Sequence, residues 1–225
     1  MNTKQIPKWL KTATMATLIG LGTVSGVKGQ NNLEALVAPS DMATNRARTN
    51  LFYEAPAEVS GYTFIEFYDN GYLAKSNLTR ELGEGDFSAR AEVINSNYFT
   101  DHAGVGVQYN FSDESGSLVG SVKALPLWVD KKGIKENTST VGYFVQKRFD
   151  LPKDYNVTVC SFGEANILGT SPEGDYQPQW GYGETSVHVG KDGIPVKLGI
   201  GADMRYQGKG LEPKINIGPR VKVDF

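Results

Sequence analysis

The 225-residue chain has one cysteine, two histidines and no apolar run of the ~18 residues that a spanning helix requires. Each scarcity excludes something. Cys160 alone forms no intrachain disulfide, so an exported form must be held by its hydrogen-bond ladder and side-chain burial. Two distant histidines do not make a metal site, which needs several ligands at workable spacing, and no cofactor is expected. A formal charge of -2 gives no argument for nucleic acid, whose phosphates need a clustered basic surface. No helix follows Gly181-Tyr182-Gly183 or Gly199-Ile200-Gly201, so neither reads as a phosphate loop.

What is present begins with an export signal. Lys4, Lys8 and Lys11 precede the apolar stretch Thr12 to Val24, and small residues lie near Gly29, where cleavage is placed. Residues 1–29 are therefore expected to be a signal peptide and 30–60 a linker or short helix, the helix capped by Pro39-Ser40-Asp41 and running through Arg48. From Gly61 to Phe225 the texture becomes strand-like. Ten strands are expected at about 61–68, 72–82, 87–97, 103–112, 118–128, 139–150, 155–163, 179–190, 194–206 and 214–225. The fold class is all-β, an antiparallel up-and-down barrel of about ten strands.

Several runs alternate cleanly. Ile215, Ile217, Pro219, Val221, Val223 and Phe225 share one face, opposite Lys214, Asn216, Gly218, Arg220, Lys222 and Asp224. Val196, Leu198 and Ile200 likewise oppose Lys197, Gly199 and Gly201. A soluble barrel or sandwich would hide the apolar face and could carry a small apolar ligand, whereas a membrane barrel turns that face outward. Four features favour the membrane. The best-patterned runs are about eleven residues, the length a tilted strand needs to cross hydrocarbon. Connections alternate between short and long. Aromatics fall into two bands, with Phe87, Tyr109, Phe111, Phe149, Tyr155 and Phe225 at one end and Tyr72, Trp128, Trp180, Tyr182 and Tyr206 at the other. Glycines on the polar face (Gly104, Gly106, Gly142, Gly199, Gly201, Gly218) leave room for charged side chains in a narrow lumen.

With its signal segment, alternating strands and final Val221-Lys222-Val223-Asp224-Phe225, the chain resembles the small bacterial outer-membrane β-barrels, porin-like in architecture. The resemblance covers about residues 61–225 and is one of architecture. It implies an outer-membrane location, membrane lipid as a partner, and a terminal aromatic strand similar to the signal read by the barrel-assembly machinery. The role it implies is structural, passive permeation or surface binding, with the solute unspecified.

The candidate pore-lining or ligand-binding residues are the polar-face charges Arg90, Glu92, Lys123, Arg148, Lys197, Asp203, Arg205, Arg220 and Lys222. Enclosed, they must pair, because an unpaired buried charge is costly, and Lys197 is placed opposite Asp224 across the last hairpin. The same groups read either as a structural ion-pair network or as a narrow polar pore. His102 beside Asp101 is the sole candidate general base, with no nucleophile in view, so no enzyme is expected. His188 falls on the polar face of its strand.

Overall fold

The computed structural model describes residues 31–36, 46–55, 58–68, 71–96, 102–130, 138–168, 181–206 and 214–225. The expected signal peptide lies outside them. Twelve strands follow one another: β1 Asn32–Leu36, β2 Arg46–Ala55, β3 Val59–Tyr68, β4 Gly71–Glu81, β5 Phe87–Ser96, β6 His102–Ser112, β7 Leu118–Asp130, β8 Thr138–Asp150, β9 Tyr155–Leu168, β10 Gly181–Lys191, β11 Val196–Tyr206 and β12 Lys214–Asp224. Each pairs antiparallel with its neighbours in sequence, and β1 pairs with β12, closing the barrel. Closure leaves no edge of unpaired backbone groups, a condition any sheet in hydrocarbon must meet.

The ten expected strands are β3 to β12. Two more, β1 and β2, stand where a linker or helix was expected, and Arg46 to Arg48 are extended rather than helical. The barrel therefore begins at Asn32, and β1 is the strand that closes it. The pattern of β2 hid it. Its inward positions include Phe52, and its outward positions include Thr49, so neither face is uniformly polar or apolar.

The first and last described residues share one end, here called the terminal end, where the Phe225 N–H donates to the Asn31 carbonyl at 2.9 Å. All connections at this terminal end are short: 56–58, 82–86, 113–117, 151–154 and 192–195. The opposite end carries 37–45, 69–70, 97–101, 131–137, 169–180 and 207–213. Apart from 69–70 and 97–101, the connections at that end are longer than any at the terminal end, an asymmetry characteristic of membrane barrels.

Two prolines sit where the ladder tolerates them. Register shifts between Leu125 and Trp128 bracket Pro126, whose missing N–H forces a bulge. Pro219 pairs with Ile200 on β11, and the β1 ladder on its other flank begins one residue later, at Arg220.

The direction of burial decides between the two sequence readings. Leu198 is 62% exposed, Ile200 56%, Ile215 64% and Ile217 58%. Glu66 and Glu92 are 1% exposed and Arg220 2%. The barrel is inside out relative to a soluble protein. An apolar belt this extensive far exceeds the patches that soluble monomers expose. Placing Val196, Leu198, Ile200, Ile215, Ile217 and Val221 in lipid is worth on the order of 10 kcal/mol, at about 1.5–3 kcal/mol each. The soluble alternative is set aside.

At the terminal end the outward ring holds Phe87, Tyr109, Phe149, Tyr155 and Phe225, with Phe87 and Tyr109 in contact at 5.1 Å between centroids. Such rings favour the interfacial zone. Tyr72 faces outward near the other end. Tyr182 does not. It shares its face with Glu184, Ser186 and His188 and hydrogen-bonds inside, because strand parity, not ring character, sets its direction.

Candidate functional site: a charged lattice across the lumen

The interior is filled by two sets of ion pairs from complementary halves of the wall. One is built on β4, β5, β7 and β9. Glu92 accepts from Lys123 Nζ at 2.7 Å, pairs with Lys75 Nζ at 2.7 Å, and accepts from Arg90 Nη2 at 2.8 Å. Glu164 reaches in from β9, accepting from Lys123 at 2.5 Å and from Lys75. Arg90 also donates to Gln108, and Gln108 to Asn110 at 2.5 Å. Toward the loop end this set is roofed by Leu73, Ile94 and Leu125, the next inward positions on β4, β5 and β7. An apolar roof keeps water from the pairs and strengthens them.

The other set is built on β1, β2, β3, β10 and β12. Arg48 is its hub. Its Nε donates to Glu66 at 2.7 Å, Nη1 and Nη2 donate to the two oxygens of Glu184 at 3.0 and 2.7 Å, and Nη2 reaches the Tyr182 hydroxyl at 3.2 Å. Arg48 Cζ lies over the rings of Phe64 and Phe162, 5.2 Å from each centroid. Phe64 is on β3 and Phe162 on β9, six places apart in a ring of twelve strands, so this one side chain meets both walls of the lumen. Arg220 donates to Glu34 at 3.0 Å and to Glu184. His188 Nε2 lies 3.4 Å from Glu34.

Glycines make the lattice fit. A Cβ on Gly201 would lie 1.7 Å from Arg220 Nε, and one on Gly142 would lie 2.5 Å from Lys123 Cε. Only a residue without a side chain allows these cations to lie flat against the wall.

Of the residues anticipated from sequence, Arg90, Glu92 and Lys123 come together in the first set, and Arg220 joins the second. Asp203 is buried and accepts from Asn216 at 3.1 Å. Lys197 pairs with Asp224 at 2.8 Å, as anticipated, while its cross-strand partner in register is Lys222. Lys222 also reaches Asp224, at 3.6 Å. Arg148 bridges Asp150 and Asp192 at the terminal mouth. The side chains of Arg205 and His102 lie outside the described residues. The anticipated set is thus spread along the lumen rather than gathered at one point. Glu34, Arg48, Glu66, Lys75, Glu164 and Glu184 were missed. Arg48 and Glu34 lay in the presumed linker. Glu66, Lys75, Glu164 and Glu184 do share strand parity with the polar face, a signal that could have found them.

Below the lattice, toward the terminal end, the lumen opens into two cavities. One of about 390 Å³ is lined by Asp86, Gln108, Asn110, Ser121 and Phe144. The other, of about 270 Å³, is lined by Arg148, Asn156, Asp192, Lys197 and Asp224.

A closed antiparallel barrel with lipid-facing aliphatics, an aromatic ring and paired charges inside is a β-barrel of the outer-membrane type. Two solved structures share the fold. The NanC porin in a rhombohedral crystal form superposes with a TM-score of 0.53 at 11% identity, covering 87% of this chain and 98% of its own. The KdgM porin gives 0.52 at 10% identity, covering 88% of this chain and 98% of its own. No protein-family model matches the chain. No curated protein matches it either.

Proposed function

We propose that the chain is an outer-membrane barrel that gives small polar solutes a narrow passive route, constricted by the charged lattice. The observation that carries this reading is the geometry of the lumen. Cavities at the terminal end lie next to a layer of side chains that meet across the barrel by ion pairing. Side-chain constrictions of this kind set size and charge limits on permeation. The likeness in fold to the NanC and KdgM porins supports the same reading. The charges inside are engaged with one another rather than set out as nucleophile and base, which favours a passive role over a catalytic one.

The test is conductance in planar bilayers. Deleting a cross-lumen pair, Arg48→Ala with Glu184→Ala, keeps the net charge and shortens both side chains. We expect a several-fold rise in current over the wild type, with folding confirmed by heat-modifiable migration on gels. A folded protein that passes no current, in wild type and variant alike, overturns the permeation reading.

A further inference from the structure

The two cavities beneath the lattice differ in what lines them. The smaller carries Arg148, Lys191, Asp192, Lys197 and Asp224. In the larger, of about 390 Å³, Asp86 is the one charged residue among the described lining residues, and amides and hydroxyls such as Gln108, Asn110 and Ser121 make the rest of the polar wall. Phe144 brings a ring to the same space, from an inward position of β8 opposite Ser121. A cavity of a few hundred Å³ with an aromatic wall and a few polar groups is the usual form of a small-molecule site.

The amides of that wall are set in one direction. Arg90 has donors and no acceptor, so the Gln108 oxygen faces it and the Gln108 nitrogen points away. That nitrogen donates to the Asn110 oxygen at 2.5 Å, and the Asn110 nitrogen donates to the Ser88 hydroxyl at 3.1 Å. Each amide nitrogen carries two N–H groups, of which the chain uses one. Polarisation from the Arg90 end strengthens the donors along such a chain. A solute here meets amide donors, the Asp86 carboxylate as acceptor, hydroxyls able to act as either, and a ring face. Net charge of either sign is penalised. An anion meets Asp86 at the mouth, and a cation meets the end of the lattice where Lys75, Arg90 and Lys123 stand, among the described residues, against Glu92 and Glu164.

We propose that the cavity between Phe144 and the Gln108–Asn110 amide row is a binding subsite for uncharged, hydroxyl-rich ring solutes of about monosaccharide size. The C–H face of such a ring lies against Phe144, and the hydroxyls at its edge exchange hydrogen bonds with the amides, Ser121 and Asp86. The proposal rests on the permeation reading for the passage of the solute, but not for the binding itself.

Glucose is the probe, with glucuronate and protonated glucosamine as rings of its size that carry one charge of either sign. Glucose should reduce the wild-type bilayer current in a saturable way and raise the temperature of the heat-modifiable transition. Its half-saturation should lie at least about fivefold below that of either charged compound. Phe144→Leu keeps an apolar side chain, removes the ring face, and should weaken glucose about fivefold. Asp86 supports the wall through its carbonyl, which accepts from the Asn110 N–H at 2.8 Å, so Asp86→Asn spares that contact. It should bring glucuronate to within about twofold of glucose. No saturable glucose effect in the wild type, an equal one in Phe144→Leu, or tighter binding of either charged compound overturns the proposal. If Phe144→Leu does not fold, Asp86→Asn decides, and an unmoved gap between glucuronate and glucose is equally fatal. A folded chain that carries no current but shows the glucose-specific thermal rise loses the permeation role and keeps the subsite. One that conducts and shows neither effect loses the subsite and keeps permeation.

Discussion

Replacing Glu92 by Gln should be among the most costly single changes in the lumen. The Glu92 carboxylate is 1% exposed and receives Lys75, Arg90 and Lys123. Glutamine keeps the volume and removes the charge, leaving two ammonium groups and a guanidinium with Glu164 as their only carboxylate in the set. Breaking a buried pair by removing one partner costs about 3–5 kcal/mol, and charge-assisted hydrogen bonds are worth about 1.5–3 kcal/mol each. The lower figure is the working value, a loss of about 3 kcal/mol. The assay is urea unfolding of the refolded barrel in lipid vesicles, with Glu114→Gln in the exposed 113–117 turn as the reference change. A second variant isolates electrostatics. Glu92→Gln combined with Lys123→Met removes one charge of each sign and should recover at least about 1 kcal/mol of the loss, as expected for directly coupled residues. If Glu92→Gln stays within about 0.5 kcal/mol of the wild type, in the range of ordinary surface changes, the lattice is not what stabilises the interior.

Gly201→Ala should destabilise by about 1–3 kcal/mol, because its Cβ would overlap Arg220, whereas Gly183→Ala, whose Cβ meets nothing nearer than 3.9 Å, should cost under 1 kcal/mol in the same unfolding assay. Leu198→Lys, on the lipid face, should cost about 2–4 kcal/mol and slow insertion into vesicles. In the 113–117 turn, Asp113 accepts from the Leu118 N–H at 3.0 Å, from Lys147 at 2.8 Å and from Ser117 at 2.8 Å, which holds its carboxyl below the ordinary range. A depressed folded-state value means stability that is present above the ordinary carboxylate range and lost as pH falls through the folded value. Asp113→Asn should therefore flatten the acid limb of the stability–pH profile, and an unchanged limb would show that the turn contributes nothing to it.

The strands that alternate strongly were legible because membrane burial writes period-2 contrast into them. β11 and β12, with Leu198 and Ile217 against Lys197 and Arg220, are the clearest case. β1 and β2 were not legible. β1 has five residues, too few for periodicity to stand out, and β2 carries Phe52 inward and Thr49 outward. Glu34 and Arg48, the latter the hub of the second set, were missed with them, since they sit on those strands. Which charges meet was also beyond the sequence. Arg48 and Glu184 are 136 residues apart, and only closure of the ring through β1 and β12 brings their walls together. The crowding glycines were the better clue, because Gly142 and Gly201 mark where Lys123 and Arg220 lie.

Pairing charges inside a barrel is not the cheapest way to fill it; well-packed apolar side chains would often be as stable. The apolar roof of Leu73, Ile94 and Leu125 is evidence that this interior accepts such packing. What an apolar lumen cannot do is tell inside from outside. A strand slipped by one residue exchanges its two faces, and if both were apolar the slip would cost little. With the lattice present the same slip of β12 puts Arg220 and Lys222 into lipid, where a cation costs about 2–4 kcal/mol at the midplane and less toward the interface, and brings Ile217 and Val221 against carboxylates. Gly201 would then face the wrong partner and Arg220 would lose the space it occupies. The charges thus fix the register of every strand that carries them, and those strands include β1 and β2, whose own alternation is weakest. For these two, Glu34 and Arg48 supply the register signal that hydropathy does not, which explains why the lattice is anchored there.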